Sequence, residues 1–313
     1  MTRKEDILLV EMGGLRLDRF VADKVEGFSR SYLKELIERG CVLVDGVRRQ
    51  PDYRLQTGEL VKLAWPESSW SEQPIAPWIL HEDRHLLVLH KPAGLLMHPL
   101  GESWVASPKA ALTEHEPNLA GLLLAQRPET SRGLERCGLV HRLDRQTSGV
   151  LLVAKTPAAQ AALHAAFRER EVHKVYRAIV LGEMASTTVD APVGRISGVR
   201  RVRVTQWGRE AQTLFRAYSP GRGVSLVSAE PKTGRTHQIR AHLAAVGHPV
   251  LGDAEWFGLQ PRAVLRALGH EPPPRMMLHA WRIRFTHPGT GKAVSYTAPP
   301  PKDFRDYWAK VKK

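Results

Sequence analysis

Gly138-Leu139-Val140-His141-Arg142-Leu143-Asp144-Arg145-Gln146-Thr147-Ser148-Gly149 sets one carboxylate between two arginines in a turn-rich segment. It runs into Gly149-Val150-Leu151-Leu152-Val153-Ala154, which is short, apolar and partly β-branched, and so reads as a buried strand with Asp144 displayed just before it. An aspartate beside cationic neighbours stays ionised, because nearby positive charge favours the charged form. That setting suits a nucleophile better than a core, and the guanidiniums of Arg142 and Arg145 suit phosphate. A solvated aspartate in a surface ion pair is the ordinary alternative for an isolated Asp, so the reading depends on the rest of the chain.

Other segments gather around it. Upstream stands Leu89-His90-Lys91-Pro92-Ala93-Gly94-Leu95-Leu96-Met97-His98-Pro99, and downstream Lys174-Val175-Tyr176-Arg177-Ala178. Then come Thr233-Gly234-Arg235-Thr236-His237-Gln238-Ile239-Arg240-Ala241-His242-Leu243, Gly247-His248-Pro249-Val250-Leu251-Gly252-Asp253 and Leu278-His279-Ala280. In order, over about residues 80 to 300, this set resembles the RluA-type family of RNA pseudouridine synthases, whose catalytic aspartate lies in an HRLD turn followed by Thr-Ser-Gly.

The resemblance implies an α+β catalytic domain with a bent, mixed, largely antiparallel sheet and flanking helices. It also implies roles: Asp144 the nucleophile, Tyr176 stacked on the target base and serving to remove a proton, Arg240 paired with the aspartate. A uridine inside folded RNA must be extruded to be attacked, at a cost of a few kcal/mol of unstacking. Arg142 then fills the vacated stack or grips the backbone. Arg235 either contacts RNA phosphate or satisfies backbone groups at the start of a helix expected from about Thr236 to Val246. Substrate and product are isomers, so no cofactor is expected.

The front of the chain carries a second pattern. Asp18 to Val25 holds an apolar patch at Phe20 and Val21, and Ser29 or Ser31 can cap a helix bearing Tyr32, Leu33, Leu36 and Ile37 that ends at Gly40. Val42-Leu43-Val44 reads as a strand, Asp45-Gly46 as a tight turn, and Glu59-Leu60-Val61-Lys62-Leu63 as a further strand. This resembles the small α/β RNA-binding module first seen in a small-subunit ribosomal protein, with Arg16, Arg30, Lys34, Arg48 and Arg49 as candidates for RNA contact. Residues 1–66 are nearly neutral, with 12 Lys+Arg against 11 Asp+Glu, so an RNA face there requires polarised placement.

The expected organisation is a small RNA-binding domain over 1–66, a proline-broken linker over 67–79 in which Trp70 can pack between domains, and a catalytic domain over 80–313. Strands are expected at Leu86–Leu89, Val150–Ala154, Tyr176–Leu181 and Val224–Ser228, and Thr156-Pro157 opens a helix in the cap-then-proline order. Residues 101–136 depart from the family pattern as an insertion. The terminal lysines, Lys310, Lys312 and Lys313, read as the solvated end of a helix.

Composition bounds the partners. The 313 residues carry 46 Lys+Arg against 32 Asp+Glu, a net charge of +14 that favours a polyanion such as RNA. Two cysteines, Cys41 and Cys137, are too few for a disulfide framework and fit a reducing cytoplasm. No secretory signal or membrane span is expected, and a monomer is the default. No metal is expected: His237 and His242 lack an HExxH pattern, and Gly289-Thr290-Gly291-Lys292 lacks the Ser/Thr of a phosphate loop. The implied substrate is large-subunit ribosomal RNA, with transfer RNA as the alternative. A noncatalytic RNA-binding or ribosome-assembly role is the competing class. A glycosidase pairing Asp144 with Glu230 is a distant third.

Overall fold

The computed structural model describes residues 5–26, 28–66, 73–99, 103–106, 108–112, 116–130, 133–195, 201–256 and 259–312. The expected packing of Trp70 lies outside the described residues. The chain divides into two compact units, Met1–Pro77 with Leu95–Leu139, and Trp78–Gly94 with Val140–Lys313.

The first unit opens with β1 (Glu5–Leu9), α1 (Leu17–Lys24), α2 (Arg30–Glu38), β2 (Val42–Val44), β3 (Val47–Arg48) and β4 (Leu60–Ala64). Ser29 caps α2 by accepting the Tyr32 N–H at 3.3 Å, and the i, i+3, i+4 set Leu33, Leu36 and Ile37 is fully buried. Asp45 and Gly46 both take left-handed angles, φ 47 and 76, as a two-residue hairpin between β2 and β3 requires. The antiparallel sheet runs β1-β4-β2-β3. Residues 101–136 contribute α3 (Ser103–Ala106) and α4 (Leu119–Gln126) to this unit. Asn118 fixes the start of α4, its side chain accepting the Gly121 N–H and donating to the Ala111 carbonyl.

The second unit comprises β5 (Ile79–Glu82), β6 (Leu86–Lys91), β7 (Ser148–Ala154), α5 (Pro157–Arg168), β8 (His173–Leu181), β9 (Thr187–Asp190), β10 (Val193–Arg195), β11 (Val202–Val204), β12 (Gln212–Pro220) and β13 (Val224–Pro231), then α6 (Gln238–Ala245), α7 (Leu259–Ala267), β14 (Leu278–Thr286), β15 (Ala293–Thr297) and α8 (Lys302–Val311). A nine-stranded sheet runs β5-β6-β7-β14-β8-β13-β12-β9, with β15 on β14; β10 and β11 form a separate hairpin. Among the described strands of this sheet only β7 and β14 pair in parallel, so the architecture is mixed α+β and largely antiparallel.

Each of the four strands expected over 80–313 lies within an observed one, and the expected strand Glu59–Leu63 is shifted by one residue to β4, Leu60–Ala64. Thr156 caps α5 by accepting the Ala159 N–H, with Pro157 in the first turn. Every residue of β7 is buried, which explains its unbroken apolar run. Tyr176, Ala178 and Val180 leave β8 toward a core shared with Ile239 and Leu243 of α6, whereas Ile179 joins Phe304, Tyr307 and Val311 of α8 on the reverse face. Helix α6 starts later than expected because His237 sits at φ 55, a left-handed turn that breaks helical geometry before Gln238.

Candidate active site

The Asp144 turn is held by its neighbours rather than by its own hydrogen bonds alone. Thr147 N–H closes the turn on the Asp144 carbonyl at 3.0 Å. Lys91, fully buried at the end of β6, donates to the carbonyls of Pro92 at 2.8 Å and Arg145 at 3.2 Å. Gly94 N–H donates to the same Arg145 carbonyl at 2.8 Å, and Arg145 Nε returns a bond to the Gly94 carbonyl at 3.1 Å. The Lys-Pro-Ala-Gly element is thus a bracket under the aspartate turn. Burial pushes the Lys91 ammonium down to about 7 although the Asp144 charge opposes the shift.

His141 anchors the other side. It accepts the Leu152 N–H of β7 at Nε2, 2.9 Å, and burial together with the Lys174 charge pushes it down to about 3, so it is a neutral strut. After the turn, Gly149 takes φ 123 where β7 meets β14, and a Cβ there would stand 2.1 Å from the Ala280 carbonyl oxygen. Only glycine permits this approach.

Asp144 then faces α6. Arg240 is buried, donates Nη1 to Asp144 Oδ2 at 2.9 Å, and uses Nε and Nη2 on the two oxygens of Asp253 at 2.6 and 2.8 Å. Burial works against the guanidinium charge, but Asp253 and Asp144 outweigh it and raise the group further. The Trp256 ring covers the guanidinium with its centroid at 4.6 Å. His237 Nε2 lies 3.6 Å from Asp144 Oδ1, and burial lowers its pKa, which makes it a neutral imidazole neighbour.

These groups open on a cavity of about 510 Å³ in the second unit. Its lining brings together Asp144, Tyr176 and Arg240 with Arg142 and Arg235, five of the residues singled out in the sequence. Arg235 lines the cavity and donates Nε to the Glu210 carbonyl at 3.0 Å, a backbone group ahead of β12 and not at the start of α6. Burial, then the Asp144 charge, push the Tyr176 phenol well above its ordinary value, so it is a hydroxyl and not a phenolate. Arg145 is not among the lining residues and serves the Gly94 contact.

In the first unit, Arg16 and Arg30 both bind Asp18, at 3.1 and 3.0 Å, and Lys34 stands 3.6 Å from Glu38. Burial would raise Asp18, but the two arginines hold it below the usual carboxylate range. Half of the Arg30 and Lys34 side-chain surface remains exposed, 55% and 50%.

Sequence reasoning missed Asp253, Trp256 and Lys174. Asp253 ended a quoted segment without a role, and Lys174 sits two residues before Tyr176 on one strand face, a spacing that points both at one cavity.

Among the described residues, His81, Asp83 and His287 bring ligand-type atoms within 4.8 Å of one another. They fit a clamp better than an ion. His287 Nδ1 accepts the N–H groups of Gly289 and Thr290, so its Nε2 carries the proton and donates to Asp83 at 2.8 Å. Burial would raise Asp83, but the N–H groups of His85 and Leu86 and both histidines hold its carboxyl well below the usual range.

Known proteins resemble this chain along most of its length. The family model for RNA pseudouridylate synthase matches residues 85–245, and the S4 domain model matches residues 15–61. The ribosomal large subunit pseudouridine synthase D of Nitrosomonas europaea is 37% identical over 303 residues, 93% of this chain and 83% of that one. The synthase C of Salmonella typhi is 36% identical over 314 residues, 95% and 93% of the two chains. Among solved structures, human RNA Pseudouridylate Synthase Domain Containing 1 superposes with a TM-score of 0.54 at 28% identity, covering 71% of this chain and 83% of that one. With a family model spanning half its length and relatives of this identity along nearly all of it, the chain belongs to the RNA pseudouridylate synthase family.

Proposed function

We propose that the protein isomerises specific uridines of large-subunit ribosomal RNA to pseudouridine, with Asp144 as nucleophile and without a cofactor. The observation that carries this reading is the Asp144–Arg240 contact of 2.9 Å in the lining of the cavity that Tyr176 also lines. The names of the relatives favour ribosomal over transfer RNA.

The reaction breaks the bond from uracil N1 to ribose C1′ and makes a bond from C5 to the same C1′; C5 loses a proton and N1 gains one. A carboxylate suits such a step because it both attacks and leaves. Arg240, fixed by Asp253, directs the Asp144 oxygen, and Arg142 stands at the mouth where the stack is vacated. Tyr176 packs against the base as a hydroxyl in the free enzyme. Once Asp144 is spent in a covalent bond its charge is gone, which removes one of the two causes that suppress ionisation of Tyr176 and eases proton removal from C5.

The S4-type match over 15–61 and the synthase match over 85–245 support an RNA-binding domain over 1–66, a linker over 67–79 and a catalytic domain over 80–313, with Leu95–Leu139 of the last grouped with the first compact unit. Exposed surface on Arg16, Arg30 and Lys34 supports their contact with RNA, and we place the protein in the cytoplasm as a monomer. No helix among the described residues is long and apolar enough to cross a membrane.

The test is to map pseudouridines in ribosomal and transfer RNA from cells lacking the protein, complemented with the intact chain or Asp144→Asn. Sites lost and restored only by the intact chain support the reading and name the target. Restoration by the variant would leave RNA binding or ribosome assembly as the function.

A further inference from the structure

Tyr176 and Arg177 are consecutive on β8 and so leave the sheet on opposite faces. Tyr176 enters the cavity; Arg177 points to the reverse face, on the Ile179 side that α8 covers farther along. There its guanidinium carbon lies 4.8 Å from the Tyr218 ring centroid and 4.2 Å from that of Trp281, and Arg282 lies 4.2 Å from the same Trp281 ring. The result is an alternating stack, Tyr218–Arg177–Trp281–Arg282.

Both aromatics occupy bulges. The pairing of β12 shifts between Ala217 and Ser219, and that of β14 between Ala280 and Arg282, so Tyr218 and Trp281 are each the extra residue. Arg177 Nε is buried there with no hydrogen-bond partner. The same face continues with Arg216, cross-strand from Ser228 that itself pairs Arg177, and with Arg284 opposite His173, both exposed as Arg282 is. Strands β8, β12, β13, β14 and β15 together carry one acid, Glu230, 3.7 Å from Arg216.

We propose that this arginine–aromatic band is a second RNA-binding surface, taking the sugar–phosphate backbone of a substrate segment away from the target uridine. It rests on the RNA reading above. Charge is the argument for this occupant: four arginines against one acid on a strongly cationic chain complement a polyanion. A guanidinium held between rings loses little freedom on binding phosphate, and the exposed side of Tyr218, at the open end of the stack, accepts an unstacked base.

The test compares Arg282→Glu/Arg284→Glu with Arg262→Glu/Arg266→Glu, an equal charge reversal on exposed positions of α7. Binding of deproteinised large-subunit ribosomal RNA is titrated across salt, and pseudouridine formation is measured at saturating RNA. The β14 reversal is expected to weaken binding at least tenfold and to flatten the slope of log affinity against log salt by about two, roughly one unit for each phosphate no longer neutralised. Turnover at saturation stays within twofold, and the α7 reversal leaves the slope unchanged. Equal effects of the two reversals, or none from either, would overturn the surface. If the glutamates prevent folding, Arg282→Gln/Arg284→Gln is read the same way. A wild-type protein that forms no pseudouridine while the binding difference persists would defeat the functional reading and leave this surface standing.

Discussion

Arg240 is tied to Asp253 by two hydrogen bonds, of 2.6 and 2.8 Å, through Nε and Nη2, which turns its Nη1 toward Asp144 Oδ2 at 2.9 Å. Asp253 is 1% exposed and also receives the Glu255 N–H at 2.9 Å, so the guanidinium plane is set from behind the cavity. Asp253→Asn weakens that clamp without touching Asp144. Turnover is expected to fall about 100-fold with RNA affinity kept, since small misplacements of a reacting group cost that much. Asp144→Asn is expected to lose at least about 10⁴-fold. An Asp253→Asn enzyme with unchanged turnover would show that Asp144 needs no such support.

The two roles proposed for Tyr176, stacking and proton removal, can be separated on one ring. Tyr176→Phe keeps the stacking face and is expected to bind RNA normally while turnover drops about 100-fold or more, as loss of a proton-transfer group does. A protein–RNA adduct stable on denaturing gels is expected to accumulate in that variant. Tyr176→Leu should weaken binding as well, because a stacked base is worth about 1–3 kcal/mol. Near-normal turnover in the Phe variant would leave the tyrosine a stacking platform alone.

The aspartate turn, the strand after it and the capped helix at Thr156 were legible because each is written in adjacent residues: a motif, an apolar run, a cap followed by proline. The front module was legible for the same reason, from Ser29, Gly40 and Asp45-Gly46. What escaped depends on distant pairing. Strand β1 is charged at its start and is recognised only through its partner β4. Strand β14 carries an extra residue at Trp281, which breaks the period of two that would have identified it. Asp253 lies 13 residues beyond Arg240, on the far side of a helix and a turn, and no local signal joins them.

Stability should fall on mild acidification. Burial pushes His141 down to about 3 and His279 down to about 4, against about 6.5 for an unfolded histidine. Between pH 6.5 and 4 the unfolded chain therefore binds protons that the native chain refuses. The stabilisation is complete above about pH 6.5 and is lost as the pH drops through this window, by up to a few kcal/mol per group. Urea midpoints at pH 7 and pH 5 measure it. His141→Gln keeps an acceptor for the Leu152 N–H but does not titrate, so its midpoint should move less between the two pH values; a slope equal to that of the wild type would remove His141 as a cause.

Gly149 is where the strand that follows Asp144 meets β14, and two penalties coincide there. A side chain must adopt φ 123, and its Cβ must occupy a point 2.1 Å from a backbone oxygen that belongs to the parallel pairing of Ala280. Gly247 has a comparable φ of 85 but nothing within 4 Å of its Cβ position. Gly247→Ala should thus cost only the left-handed strain, about 1 kcal/mol. Gly149→Ala should cost at least about 3 kcal/mol, because strain and overpacking add and the oxygen cannot retreat without breaking the β7–β14 pairing. Since β7 follows the Asp144 turn directly, the same variant should lose turnover in the fraction that still folds. Equal destabilisation by the two alanines, measured by denaturant unfolding, would mean that the close approach of β7 to β14 is softer than its geometry requires.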